Sequence, residues 1–596
     1  MIPLHKQLFI NLLELKIETK EEIKYDSFFT LIEEYLKLEK SIENASAETV
    51  DYLIRARQDY IKDILFEIEN SPFSKYDNFY SGDLLTIKNI IKGQKIDFEL
   101  LKIIFNTFHK KRTINYFTNI QRILDNQKRI DFKYIFILVD NLLQEINYHN
   151  FSYEKIKSLL KYTSDKYNIC LEIQHSFDSK SEKKFPLCLI KVEVPKELEG
   201  QDLLIIDNVK FYKVYDVEWN LVSTVYSDLY KEHLEKFFIT ENNKIKYKSK
   251  GNLYLFETQN LDGADYQTRI RKAAQSVESN LKDLMSNTGT RKKNIIHTTA
   301  YTFTSEAPDK YRAFNIAVAG SKNIPVYQNR NKRDVQEFYK EYLSSFHKEN
   351  FKLDSFKTIY NLLDLIKNTS EMTVENKLVI LWSCLEKICV DLNRKAIIQK
   401  VQQIITKSHL MYILKQDLNE IWHGIVENNF HNQIEVLKEV IVDPSDDFVK
   451  YKPKELFVVL KGMDKENQTT IMEKDIVLAA LINSFQENMK DKNTIKKYLK
   501  IEKSRVEQNI RRIYRHRNIL THTHSQQNFD IMYFVMKLEK YLSGLISIII
   551  HYTLRNPELT IKDIIYAIDQ TYNYYESTII DSNDYNSILK PHYLLL

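Results

Sequence analysis

The sequence predicts an α+β protein that is predominantly α-helical, and three observations carry that expectation. Glycine and proline number only 10 each in 596 residues, which leaves few tight turns and favours long helices. Apolar residues recur at helical spacing over the first quarter and the last two fifths of the chain. Between them, short runs of β-branched and aromatic residues are bounded by Gly, Pro, Asn or Asp, as strands are.

Residues 1–165 read as a helical N-terminal region. "SFFTLIEEYLKLEKSI" and the stretch Phe132–Ile146 both carry an apolar stripe. Residues 166–340 read as a β-rich mixed region. Its strand signals are "PLCLIKVEV", "LLIIDNVKFYKVYDVEW", "NLYLFETQNLDG" and "FNIAVAG", interrupted by one helix, "YQTRIRKAAQSVESNLKDLM", at 266–285. Residues 341–596 return to helical periodicity and read as a C-terminal helical bundle. In "ENKLVILWSCLEKICVDLN" (375–393), Leu378, Leu381, Trp382, Leu385, Ile388 and Cys389 form one stripe, with Glu386 at its margin. "NFDIMYFVMKLEKYLSGLISIIIHY" (528–552) is apolar over most of its circumference and reads as a buried central helix.

The four cysteines, Cys170, Cys188, Cys384 and Cys389, form no CxxC pair, which suits buried thiols in a reducing compartment. The N-terminal apolar run is broken by charges and lacks a small-residue cleavage site. The most apolar late stretch, "YLSGLISIIIHYTL", falls short of the roughly 20 residues a membrane span needs. These features predict a cytoplasmic protein without a membrane partner.

The net charge of +5 is unevenly spread. Between Lys490 and Arg517 eleven Lys/Arg face only Asp491, Glu502 and Glu507, a local charge of +8, so the rest of the chain carries −3. Such a stretch is a counterpart for phosphates, or else a solvated helical face. Lys496, Lys497, Lys500, Arg511, Arg512 and Arg515 are the candidate RNA-binding residues within it.

The stretch ends in "RHRNILTHTH", Arg515–His524. RNA cleavage without a metal needs a proton-transfer group, a fixed cation on the phosphoryl oxygens, and a strand held for in-line attack. Histidine titrates near neutrality, and arginine is always charged and forks onto phosphate oxygens. Arg517 and His522 supply both groups, with Asn518 as a neutral hydrogen-bonding neighbour. On a continuous helix Asn518 and His522 lie about 40° apart and share a face with Arg511 and Arg515, whereas Arg517 and His522 lie about 140° apart. The helix breaks near the motif, or Arg517 snorkels round it, or the side bearing Ile513 and Leu520 faces a second protomer.

"IYRHRNILTH" resembles the signature of the HEPN superfamily, whose ribonuclease members carry Arg, four to six residues, then His, often with a polar residue directly after the Arg. Arg517–His522 fits with four intervening residues. "LVILWSCLEKIC", with Trp382 and Glu386, resembles the first core helix of HEPN domains in bacterial defence and abortive-infection proteins. The resemblance covers roughly 350–555. It implies a helical bundle that forms a homodimer or higher oligomer, so that two Arg/His motifs meet in a composite, metal-independent ribonuclease site without cofactor. It assigns catalysis to Arg517 and His522, positioning to Asn518 and an orienting role to Glu386, with His524 a supporting neighbour. It further implies an antiphage, toxin-like effector that cuts RNA and responds to a phage-derived trigger.

Other readings compete. A HEPN module can bind RNA, nucleotide or protein without catalysis, and a helical scaffold can carry an incidental basic patch. Zinc binding by His516, His522 and His524 lacks a Cys or carboxylate at ligand spacing. Arg291 and His297 form a second Arg-x5-His, but in a strand-like context. No Gly-rich phosphate loop, HExxH or GxSxG is present.

Overall fold

The computed structural model describes 3–178 and 354–581 with short breaks, among them 20–22, 44–46, 390–396, 443–450 and 524–530. Between 179 and 353 it describes only the backbone of six strand segments. The described chain divides into two units. One comprises 1–114, 122–141 and 321–596; the other comprises 115–121 and 142–320. The N-terminal helices therefore belong to the same unit as the C-terminal bundle, a division that cuts across the boundaries at 165 and 340 drawn from sequence.

The α+β expectation is corrected. The part of the chain in which side chains are placed is 88% helical and contains no strand, so the class is all-α. The β-branched runs of the middle region account only for β1 (Leu187–Val192), β2 (Leu203–Ile206), β3 (Val209–Val214), β4 (Asn252–Glu257), β5 (Ile296–Phe303) and β6 (Tyr311–Asn315). Their backbones pair antiparallel in the order β2-β3-β4-β1-β5-β6. The expectation erred because a local β-pattern says nothing of how much of the molecule it builds. The helix expected at 266–285 lies outside the described residues.

In the larger unit the N-terminal part contains α1 (Leu4–Thr19), α2 (Phe28–Glu43), α3 (Ala47–Asn70), α4 (Pro72–Tyr76), α5 (Ser81–Lys92) and segments of α6 (Phe98–Asn126) and α7 (Phe132–Tyr148). Phe28, Phe29, Phe73, Tyr80 and Phe108 close on one another there, Phe29 and Phe108 with ring centroids 5.2 Å apart. Start signals are local. Ser71 accepts from Phe73 N–H at 3.1 Å, and Pro72 opens α4, where a missing N–H costs nothing. The smaller unit holds α8 (Tyr153–Tyr162) and α9 (Ile169–Asp178), and Gln121 donates to the Tyr167 carbonyl at 2.8 Å.

The C-terminal part of the larger unit begins with α10 (Asp354–Asn368), α11 (Val374–Cys389), α12 (Ile397–Leu410) and α13 (Ile413–Glu427). Two single turns follow, α14 (Phe430–Gln433) and α15 (Glu435–Lys438), and then α16 (Pro453–Gly462), α17 (Lys465–Lys474) and α18 (Ile476–Asn488). It ends with α19 (Lys492–Thr523), α20 (Ile531–Arg555) and α21 (Ile561–Asp581). The stripe read in α11 is buried as expected: Leu378, Leu381, Trp382 and Leu385 are fully enclosed. The central helix is α20, with Leu538, Leu545 and Ile549 in the core. Helices α11, α12, α19, α20 and α21 pack on one another. Lys377 of α11 and Glu539 of α20 form a buried ion pair. Asp491 starts α19 by accepting the N–H groups of Asn493 and Thr494, each at 2.9 Å. Among the described residues no helix is long and apolar enough to cross a membrane.

Candidate functional site

Helix α19 runs unbroken from Lys492 to Thr523, so the helix does not break at the Arg517–His522 motif. The two positions keep their separation of about 140° around the axis. Arg517 points to the side that bears Ile513 and Leu520, and there it meets α11. Its Nη2 lies 3.5 Å from Glu386 Oε2, and its Nη1 donates to Asn518 Oδ1 at 3.0 Å. The Arg517 side chain is about one fifth exposed and that of Glu386 one quarter. Arg517 Nε is buried and finds no acceptor among the described residues.

Glu386 is itself held. The indole N–H of Trp382, one turn earlier, donates to Glu386 Oε1 at 2.8 Å. A buried indole has one donor and needs an acceptor, and the i, i+4 spacing supplies it. The Trp382 ring packs on Tyr514 of α19 with centroids 5.3 Å apart. Trp382, Glu386, Arg517 and Asn518 thus form one connected chain of contacts between two helices that are distant in sequence. Burial pushes the thiols of Cys384 and Cys389 on α11 up to about 11 and about 12, which keeps both protonated and unreactive.

The side chain of His522 lies outside the described residues, as does His524; only the helical backbone at 522 is described. Arg291 also lies outside them, and His297 is described only as backbone in β5. Cys188 is likewise described only as backbone, in β1.

The basic stretch divides into two parts. Lys496, Lys497 and Lys500, in the first turns of α19, are exposed. The arginines further along, Arg511, Arg512 and Arg515, are engaged internally and face carboxylates rather than an open surface. Arg512 is only 2% exposed. Its Nη2 and Nε donate to Glu34 of α2 at 2.6 and 3.3 Å, and its Nη1 donates to Asp26 at 2.5 Å. Tyr533 also donates to Asp26, at 3.0 Å. Arg511 and Arg515 share Asp63 of α3, at 2.5 and 3.2 Å, and the Arg515 guanidinium lies 3.7 Å from the centroid of the Tyr60 ring. These acids escaped sequence reasoning because they stand more than 440 residues away. One signal was present: Glu33, Glu34 and Glu39 lie within the apolar pattern of α2, and all three are buried.

His516 is buried, with its ring stacked on Phe534 at 4.2 Å and Nε2 3.7 Å from Glu34 Oε2. Burial lowers its pKa, outweighing the nearby carboxylate. Glu34 is shifted below the usual carboxylate range: burial alone would raise it, but Arg512 and His516 together prevail. Among the described residues no group of three or more His, Cys, Asp or Glu has the arrangement to hold a metal ion.

Chemically, Arg517 is a partly open cation held by a carboxylate and an amide, one turn beyond a cluster of neutralised arginines, while the exposed lysines lie more than four turns earlier on the same helix. Comparison of the chain with family models, with curated proteins and with solved structures finds no match.

Proposed function

We propose that the chain is a metal-independent endoribonuclease of HEPN type, acting in the cytoplasm as a toxin-like effector of antiphage defence. The observation that carries this reading is the Trp382–Glu386–Arg517–Asn518 network. It joins the two sequence pieces that resemble the family, and it does so through the side chains the chemistry requires. Glu386 positions the guanidinium, and Asn518 holds it from the other side. Arg517 then stabilises charge on the phosphoryl oxygens. A histidine at position 522 accepts the proton of a ribose 2′-hydroxyl as its oxygen attacks phosphorus. A second acid, from the motif of another protomer in a homo-oligomer, protonates the departing 5′-oxygen. The P–O5′ bond breaks, leaving a 2′,3′-cyclic phosphate and a 5′-hydroxyl. Exposed Lys496, Lys497 and Lys500 hold the strand, and a phage-derived trigger switches the effector on.

The test is cleavage of labelled RNA in the presence of a chelator, with the ends analysed. Cutting that leaves cyclic or 3′-phosphate ends supports the reading. Cutting that disappears with chelator and returns with magnesium removes it. A second reading, a non-catalytic HEPN module that binds RNA, nucleotide or protein, draws on one observation. Arg517 is already committed to Glu386 and Asn518, and position 522 lies round the helix from it. RNA binding without cleavage by any oligomeric form favours this second reading.

A further inference from the structure

Helical positions 511, 515, 518 and 522 of α19 fall within about 60° of arc, one continuous stripe leading to the motif. Asp63 of α3 covers its first half by bridging Arg511 and Arg515. The two kinds of arginine differ in how well they are satisfied. Arg512 has acceptors for Nε, Nη1 and Nη2 from two carboxylates. Arg511 Nε, and both Nε and Nη1 of Arg515, are buried without an acceptor among the described residues. A guanidinium has five N–H donors, and one carboxylate shared by two guanidiniums leaves most of them unmet. A phosphodiester presents two anionic oxygens and can be approached by two guanidiniums at once.

From this we infer that Asp63 stands where an RNA phosphate binds on the Arg511/Arg515 pair, so that α3 is a releasable internal competitor of RNA. The inference rests on the reading of the chain as a protein that acts on RNA, and it adds how access is regulated. The Arg512–Glu34–Asp26 cluster is the fixed anchor that keeps α2 in place. The Asp63 contact is the part that yields. RNA running along the stripe toward position 522 displaces it, and the orphaned guanidinium donors gain acceptors.

The experiment uses the full chain in a His522→Ala background, so that binding is read without cleavage. The probe is a fluorescein-labelled single-stranded oligouridylate. Asp63→Asn keeps shape and removes the charge; it is expected to tighten binding at least about tenfold at low salt, because two arginines become available to phosphate. Asp63→Glu, which keeps the charge, is expected to bind like the parent. Glu34→Gln is expected to lower the melting temperature without tightening binding. In parallel, amide hydrogen exchange on the parent protein is followed with and without saturating oligouridylate. Residues 60–68 are expected to lose protection when RNA is bound. A folded Asp63→Asn protein that binds RNA no tighter than the parent overturns the inference. So does unchanged exchange over 60–68 with RNA bound, which decides the matter even where Asp63→Asn does not fold. Absence of RNA binding by both proteins overturns it as well. Tighter binding with α3 release, but no cleavage once His522 is restored, upholds the inference and removes the ribonuclease reading.

Discussion

At the scale of residues, Arg517 is the best-defined member of the site, because Glu386 and Asn518 together fix where it lies. Arg517→Ala is expected to lower the cleavage rate by ~10²–10³, the usual cost of losing one preorganised charge stabiliser. Arg517→Lys should rescue little, since an ammonium cannot reach Glu386 and Asn518 in one planar fork. His522→Ala should abolish cleavage while His524→Ala is mild; full activity in a folded His522→Ala protein removes the catalytic role. A different residue ties stability to pH. Burial pushes the Glu67 carboxyl up to about 8, aided by Asp26 and Asp63, while Arg505 and Arg512 oppose the shift. The folded state therefore prefers Glu67 protonated. Its contribution is fully present below the unfolded carboxylate range near 4.5 and is lost as pH rises through about 8. Melting temperature should fall between about pH 4.5 and pH 8, and Glu67→Gln should flatten that fall. A parallel decline in the variant assigns the pH dependence to other groups.

At the scale of elements, α19 is a single helix that changes partner along its length. Its first turns carry exposed lysines, its middle is clamped by α2 and α3, and its last turns hold Arg517 against α11. If RNA lies along the exposed end, log–log salt dependence of binding should lose roughly 2 units of slope when Lys496, Lys497 and Lys500 all become Gln, at about 0.7 per phosphate contact on a single strand. An unchanged slope places the RNA elsewhere. Much of this element was legible beforehand. The helical wheel places Arg517 on the side of Ile513 and Leu520, away from position 522. The partner on that side was not legible, because a helical wheel gives direction but not neighbour. The same limit explains the basic stretch: the eleven cations between Lys490 and Arg517 are identical on paper whether they face water or buried carboxylates.

At the scale of the whole larger unit, the N-terminal helices complete the C-terminal bundle rather than stand apart from it. Asp26, Glu34 and Asp63 supply three negative charges to Arg511, Arg512 and Arg515, and all three acids are nearly inaccessible to water. Removing one partner of a buried pair leaves an uncompensated charge and costs ~3–5 kcal/mol. Glu34→Gln is accordingly expected to destabilise by about that amount in chemical denaturation. A fragment beginning at 341 loses every one of these carboxylates and should fail to unfold cooperatively. A fragment that melts as sharply as the full chain shows that the arginine network is dispensable.

What the sequence determined by itself were features whose causes are local. The stripe of α11, the apolar girth of α20 and the chemistry available at 515–524 all follow from side chains within one or two turns of one another. The tertiary structure alone decided the class, the division into units and the state of the basic stretch. It brought Glu386 to Arg517 across 131 positions of chain and Asp63 to Arg511 across 448. Contacts at such separations leave no periodicity in the sequence. They arise from burial: once apolar stripes have chosen which helices pack, a guanidinium removed from water must take whatever carboxylate the packing brings to it.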